Sequence, residues 1–122
     1  MNNYTKEESV EALQVITSTI MNCEKIHPKF AEGSSQHTLL KNRIKALYIS
    51  KTLIINEGST GEYSIEDLKM ALPPITSIIS KCEKAQLKLI EGSSQYTRLK
   101  KIIRAMYLSK AFILNEIDEM NQ

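Results

Sequence analysis

The chain contains an internal duplication. Residues 4–57 align with residues 63–116 at a constant offset of 59 without a gap, and 28 of the 54 aligned positions are identical. The longest identical run is Glu-Gly-Ser-Ser-Gln, at residues 32–36 and 91–95. A duplication of this length predicts two copies of one supersecondary unit that pack on each other, because one copy alone buries too little area to be stable.

Each copy has the pattern of two helices joined by a short loop. Thr5 and Ser64 precede acidic first turns, which is typical of helix N-caps. Apolar residues then recur at steps of three and four, which predicts amphipathic helices. Gly33 and Gly92 stand where a helix C-terminus often takes a left-handed residue, and the serines after them can cap the next helix. We expect the second helix of each copy at about residues 36–57 and 95–119.

The predicted fold is therefore all-α. It is a tandem repeat of two antiparallel helical hairpins that form a four-helix bundle with internal pseudo-twofold symmetry. Residues 1–122 are expected to form a single domain, because their number suits one hydrophobic core. Within it, repeat one covers residues 4–57, a linker with two glycines covers 58–62, and repeat two covers 63–116.

Prolines interrupt the correspondence between the copies at two places. Residues 73–74 are Pro-Pro and align with residues 14–15, while Pro28 aligns with Leu87. Since the other copy has a helical pattern at each site, we expect a kink, or a break into two helices, rather than a loop. Leu72 precedes the proline pair and is expected to leave the helical region.

Composition places the chain among ordinary globular proteins. Its 42% hydrophobic and 25% charged residues are average values, and a net charge of +2 does not by itself indicate nucleic acid. No apolar run approaches the roughly 20 residues that span a bilayer, and the N-terminal residues do not resemble a signal peptide. We therefore expect a cytoplasmic protein with no membrane partner. Its many Asn, Ile and Lys residues suggest an AT-rich bacterial genome.

The second helix of each copy is more apolar than one contact requires. Its apolar residues cover well over half of the helical circumference, whereas a surface helix normally shows a narrower stripe. Either these helices are central in the bundle, or they bury a second face in another subunit. We favour the second explanation, a homodimer or a complex with a protein partner. The candidate interface residues are Leu39, Ile49, Leu53, Leu108 and Phe112.

Charged residues fall on the apolar faces at equivalent positions, namely Glu24 and Glu83 on the first helices and Lys51 and Lys110 on the second. Three interpretations are open: charges at the rim that reach solvent, a buried network that fixes the register, or a ligand site. In an antiparallel hairpin Tyr48 lies level with Glu24, which predicts a hydrogen bond between them. The alternative is a pair between Glu24 and Lys110 across the repeats.

Metal-binding and catalytic motifs are weak. Residues 24–27 spell Glu-x-x-His, as in di-iron bundles, but the equivalent residues 83–86 end in Gln, and helices two and four supply no mid-helix glutamate. The cysteines Cys23 and Cys82 lack metal-ligand spacing and are expected to be buried thiols. No G-x-S-x-G motif occurs. We predict no catalytic residue, metal or cofactor, and the sequence identifies no small-molecule substrate.

The repeated Glu-Gly-Ser-Ser-Gln loop permits two interpretations. Glycine and serine suit a turn followed by a helix cap. Alternatively, the helix N-termini bind an anion, because cations crowd the first turns against the helix dipole and an anion would compensate them. Glu32 and Glu91 beside the loops argue against the second interpretation. The candidate anion-binding residues are Ser34, Ser35, Lys41, Ser93, Ser94, Arg98, Lys100 and Lys101.

Taken together, these patterns favour a non-enzymatic protein-binding or scaffold module, acting as a homodimer. In that case Leu53→Glu or Phe112→Glu should disrupt the dimer. The alternative is binding of an anion or of a nucleic-acid backbone by the basic first turns of the second and fourth helices. An enzyme with an unrecognised site is a third class, for which the sequence gives no supporting motif.

Overall fold

Helices account for most of the chain that the structure describes. The computed structural model describes residues 4–58 and 61–122, so Ser59 and Thr60 of the predicted linker lie outside the described residues. The described part contains no strand, which confirms the all-α prediction. The helices are α1 (Lys6–Ile26), a 3-10 turn (His27–Lys29), α2 (Ser35–Ile55), α3 (Ile65–Gln86) and α4 (Ser94–Met120).

The predicted N-caps are confirmed. The Thr5 hydroxyl accepts the backbone N–H of Glu8 at 3.1 Å, and a Glu8 carboxylate oxygen accepts the N–H of Thr5 at 2.9 Å. This reciprocal capping box satisfies two backbone donors at the start of α1. Ser34, Ser64 and Ser93 cap the other three helices by accepting the N–H of the residue three positions on.

The two loop glycines are left-handed, with φ angles of 87° at Gly33 and 89° at Gly92. However, α1 and α3 end well before them, so their prediction as helix C-caps is wrong. Instead, each glycine is the third residue of a tight turn, at 31–34 and 90–93, closed by a backbone hydrogen bond of 3.0 Å. A turn with positive φ at its third position favours glycine, and its last residue is the N-cap serine.

The four long helices pack as a bundle. α1 and α3 each contact α2 and α4, and α2 also contacts α4 directly, whereas the described residues of α1 and α3 do not touch. Hydrogen bonds from Tyr48 to Glu24 and from Tyr107 to Glu83 show that each hairpin is antiparallel. Neighbouring helices therefore alternate in direction, and α2 and α4 begin at the same end of the bundle.

The core explains why α2 and α4 are so apolar. Each of these helices contacts the three other long helices, so a wide apolar arc is used within the chain. This corrects the candidate interface, because four of its five side chains lie in the core and expose too little surface to form the centre of a subunit contact. Their exposed fractions are 2% for Ile49, 0% for Leu53, 2% for Leu108 and 3% for Phe112, whereas Leu39 is 38% exposed.

Small side chains accompany the direct contact between α2 and α4. Ser50 and Ser109 occupy equivalent positions and are fully buried. Their hydroxyls donate to the carbonyls of Ala46 and Ala105, one turn earlier, at 2.9 and 2.8 Å. Because each hydroxyl donates to a carbonyl of its own helix, the hydroxyl itself is hydrogen-bonded within the core. Small residues at these positions let two helix backbones approach closely.

The two proline sites behave differently. Pro28 lies in a three-residue 3-10 turn that follows α1, so the long helix ends there and is neither kinked nor continued by a second α-helix before the loop. In contrast, α3 continues through Pro73 and Pro74, and the prediction that Leu72 leaves the helix is wrong. The proline rings cannot donate to the carbonyls of the residues four positions earlier, at 69 and 70. Both of those residues are exposed, so water can satisfy their carbonyls.

Candidate functional site

A groove runs along the surface between α1 and α4 and has a volume of about 510 Å³. We call it the α1–α4 groove. Because α1 and α4 are antiparallel neighbours, the last turns of α1 face the first turns of α4. Its lining is Gln14, Val15, Ser18, Thr19 and Asn22 from α1, with Ser94, Thr97, Arg98, Lys101 and Ile102 from α4.

The chemistry of the α1–α4 groove suits an anion. Two cationic side chains, Arg98 and Lys101, lie among hydroxyl and amide side chains, and no carboxylate belongs to the lining. Guanidinium and ammonium groups bind phosphate and carboxylate oxygens by charge-assisted hydrogen bonds, and hydroxyl and amide groups add further donors. Val15 and Ile102 give part of the lining an apolar character.

Comparison of the two repeats explains why the groove is open between α1 and α4. In the contact between α2 and α3, the Arg43 guanidinium donates to the Ser77 hydroxyl at 3.3 Å. The residue equivalent to Arg43 is Ile102, and the residue equivalent to Ser77 is Ser18. Isoleucine is shorter and has no donor, so it cannot bridge to Ser18, and the space stays accessible from the surface.

The cations of the groove are also specific to the second repeat. Arg98 and Lys101 align with Leu39 and Asn42 of α2. Therefore the surface that carries two cations on α4 carries an apolar and an amide side chain on α2. At the α1–α4 contact two cations therefore line an open groove, whereas at the α2–α3 contact the Arg43 guanidinium is bonded to Ser77.

A smaller cavity of about 230 Å³ adjoins the groove toward the N-terminus of α1, and we call it the end cavity. Lys101 lines both spaces and so connects them. Unlike the groove, the end cavity contains carboxylates, and it also contains two tyrosine rings. Its lining is Tyr4, Glu8, Glu11, Ala12, Lys101, Arg104, Ala105, Tyr107 and Leu108.

The structure brings together three of the eight candidate anion-binding residues, Ser94, Arg98 and Lys101. Lys100 lies beside them, on a surface that it shares with Glu91 and Lys101. The Ser93 hydroxyl is occupied as the N-cap of α4.

The other three candidates, Ser34, Ser35 and Lys41, belong to the start of α2 and do not line the α1–α4 groove. The Ser34 hydroxyl caps α2, and that of Ser35 donates to the Gln36 side chain at 3.2 Å. The predicted set therefore divides into one group at the groove and another at the start of α2, away from the groove.

Charged residues on the helix faces make tyrosine contacts. The Tyr48 hydroxyl donates to the Glu24 carboxylate at 2.9 Å, which confirms the predicted hydrogen bond, and this bond raises the pKa of Tyr48. Lys51 and Lys110 are partly buried, which suits lysines whose heads reach solvent. Among the residues that the structure describes, Lys45 pairs with Asp67 at 3.4 Å, and no ion pair joins Glu24 to Lys110.

The histidines and cysteines occupy separate places. The His27 and His37 rings stack with their centroids 4.0 Å apart, which joins the end of α1 to the start of α2. Cys23 and Cys82 are free thiols, and partial burial raises the pKa of each. Within the described ranges, no three His, Cys, Asp or Glu side chains lie close enough together to hold a metal ion.

The sequence analysis missed the α1 side of the groove. Gln14, Ser18 and Asn22 recur every four residues, which places them on one face of α1. That polar spacing was available as a signal. These residues were not predicted as part of a site because a polar helix face is ordinarily the solvent-exposed face of an amphipathic helix.

Comparisons with known proteins give no relative. No family model, no curated protein and no solved structure matches the chain. In the part of the chain that the structure describes, none of the helices combines the length and the apolar character that crossing a membrane requires.

Proposed function

We propose that this protein is a non-enzymatic binding protein that holds an anionic, phosphate-bearing ligand in the α1–α4 groove. One observation carries the proposal. Arg98 and Lys101 converge with the hydroxyl and amide side chains of both helices in a groove that no carboxylate lines. Cations so placed repel each other, and a bound anion relieves that repulsion.

The repeat supports this choice of site. The proposal includes a pseudo-twofold axis between α2 and α4. Two hydrogen bonds at equivalent positions support this axis, one from Tyr48 to Glu24 and the other from Tyr107 to Glu83. Under that symmetry the groove has a counterpart between α2 and α3. There Arg43 bridges the helices and Leu39 replaces a cation, so the ligand site belongs to one interface only. The free thiols are in keeping with the cytoplasm as the compartment.

The proposal predicts that Arg98→Leu with Lys101→Asn will abolish phosphate binding. Both new residues are those that repeat one has at the equivalent positions, so the helix surface should accept them. Hydrogen bonds to charged groups contribute about 1.5–3 kcal/mol each, so losing two cations should weaken binding by roughly 100-fold or more. Isothermal titration calorimetry with inorganic phosphate at low and high salt measures the effect.

The matched control is Lys69→Asn with Lys81→Asn. This variant also removes two positive charges, but from exposed positions of α3, a helix that does not pack against α1. It should bind phosphate almost as the wild type does, because long-range charge effects are screened by salt. Equal losses in both variants would mean that binding follows net charge alone, and the groove would lose its assignment.

A second candidate function is homodimerisation. A groove of about 550 Å³ at the other end of the bundle, lined by apolar side chains together with Lys6, Ser9 and Glu57, favours it. Val10 and Ile55 line this groove and are 48% and 57% exposed, beside the more buried Leu13, Ile54 and Phe112. These exposed positions replace the core residues that the sequence analysis assigned to a subunit contact. The occupant that we propose is the same groove of a second copy of the chain.

Under this second proposal, Val10→Asp with Ile55→Asp should convert a dimer into a monomer without unfolding it, because both side chains are already half exposed. Two buried carboxylates facing their copies would make association unfavourable. Size-exclusion chromatography with light scattering measures the molar mass, and circular dichroism checks the fold. A wild-type chain that is monomeric at high concentration would eliminate this candidate.

A further inference from the structure

The carboxylate-free stretch of the α1–α4 groove is short. On the α1 side it runs from Gln14 to Asn22, which are eight residues apart. At a rise of about 1.5 Å per residue this corresponds to about 12 Å of helix. Such a length accommodates one or two phosphate groups, together with part of the molecule that carries them.

Carboxylates flank the basic residues beyond this stretch. Glu8 and Glu11 share the end cavity with Lys101 and Arg104, and Glu91 lies on the outer side of α4 beside Lys101. The capping box holds Glu8 in place, because one of its oxygens accepts the N–H of Thr5 at 2.9 Å. A nucleic-acid strand in a duplex carries a charge about every 3.4 Å and would therefore run past the cations into these carboxylates.

The end cavity offers the complementary chemistry. Ionised carboxylates accept hydrogen bonds and do not donate them, so Glu8 and Glu11 suit a group that bears amino or hydroxyl donors. The rings of Tyr4 and Tyr107 line the same cavity and give a planar group apolar surface. Because Lys101 lines both spaces, one molecule could place its phosphate in the groove and its donors in the end cavity.

We propose that the ligand is a small phosphate ester whose other end carries amino or hydroxyl donors, as a nucleoside monophosphate does, rather than a polynucleotide. This inference rests on the proposed function, since it takes the α1–α4 groove as the phosphate site. It adds the class of ligand and the role of the end cavity, where Glu8 and Glu11 recognise the donor-bearing group.

Titration calorimetry with three probes at one salt concentration tests the inference. The probes are inorganic phosphate, adenosine 5′-monophosphate and a single-stranded 20-nucleotide DNA. The monophosphate should bind roughly tenfold more tightly than inorganic phosphate, because charge-assisted hydrogen bonds to Glu8 and Glu11 are added. The DNA should bind more weakly than the monophosphate.

The variant Glu8→Gln with Glu11→Gln provides the specific check, since glutamine at position 8 can still complete the capping box. The variant should reduce the ratio of monophosphate affinity to phosphate affinity about fivefold or more. Its affinity for the DNA should rise, because two charges that repel the DNA are lost. Tighter binding of DNA than of monophosphate by the wild type would overturn the inference. An affinity ratio that the variant leaves unchanged would overturn it equally.

The same titrations separate this inference from the proposed function. If neither inorganic phosphate nor the monophosphate binds the wild type, the proposed function fails, and this inference fails with it. If phosphate binds and Arg98→Leu with Lys101→Asn abolishes the binding, the proposed function stands. The inference alone then fails when the monophosphate binds no more tightly than inorganic phosphate.

Discussion

Leu53→Glu will unfold the protein rather than separate two subunits. The Leu53 side chain is completely buried in the core, among residues of all four long helices. The substitution removes the burial of a large aliphatic group and puts a carboxylate in its place without a partner. Loss of the apolar side chain costs about 2–5 kcal/mol, and burial of an unpaired charge costs more. A domain of this size rarely has more than about 5–15 kcal/mol of stability to lose.

Circular dichroism and urea unfolding measure this effect, and Leu39→Glu is the matched control. Leu39 is on the same helix but is 38% exposed, so its replacement should lower the unfolding free energy by less than about 1 kcal/mol. Phe112→Glu, at the position equivalent to Leu53, should behave like Leu53→Glu. If the Leu53→Glu variant were instead a folded monomer of wild-type stability, Leu53 would belong to a subunit interface and not to the core.

Replacing Ser50 and Ser109 together by leucine should destabilise the protein strongly. Both side chains are fully buried on the two helices that contact each other across the bundle. Each leucine has two more heavy atoms than the serine that it replaces, and both positions are already fully buried. Overpacking of a core commonly costs about 1–3 kcal/mol per site, which gives about 2–6 kcal/mol for the pair.

Ser50→Ala with Ser109→Ala separates packing from hydrogen bonding. Each hydroxyl donates to a carbonyl that remains bonded in the helix ladder, so its removal leaves no unsatisfied partner. The alanine pair should therefore retain the wild-type unfolding free energy to within about 1 kcal/mol. Urea midpoints of the two double variants give the comparison. Equal stability of the leucine pair and the wild type would show that these residues do not set the distance between α2 and α4.

The sequence was a good guide to secondary structure because the signals are local. The capping residues Thr5, Ser34 and Ser93 act within one helical turn, and the apolar period of α1 to α4 needs no knowledge of partners. The prediction that Leu72 leaves the helix before the proline pair was wrong because local preference competes with packing. Ile75 and Ile79 follow the prolines and are buried in the core, which stabilises the helix across them.

Burial was harder to predict than helix formation. A helical wheel shows that Ile49 and Phe112 lie on a wide apolar arc, but it does not show how many helices cover that arc. The distinction depends on the direct contact between α2 and α4, which is a tertiary property. An exposed apolar face and a face covered by a third helix therefore have the same sequence pattern.

The site shows a similar division. Arg98 and Lys101 were identified because cations at a helix start oppose the dipole, and this is a property of α4 alone. Their partners Ser18 and Asn22 come from α1, more than 70 residues earlier in the sequence. Only the packing of α1 against α4 brings the two sets together, and Ile102, at the position that Arg43 holds in the first repeat, does not bridge the space between them.

The most direct test of the α1–α4 groove is a nuclear magnetic resonance titration of the isotopically labelled chain with adenosine 5′-monophosphate. A protein of 122 residues permits each backbone amide to be followed. We predict shifts concentrated at residues 14–22 of α1 and 94–102 of α4, extending to residues 8–11, with the equivalent residues 35–43 of α2 unchanged. Shifts concentrated at the start of α2, or no shifts at millimolar ligand, would contradict the assignment of the groove as the binding site.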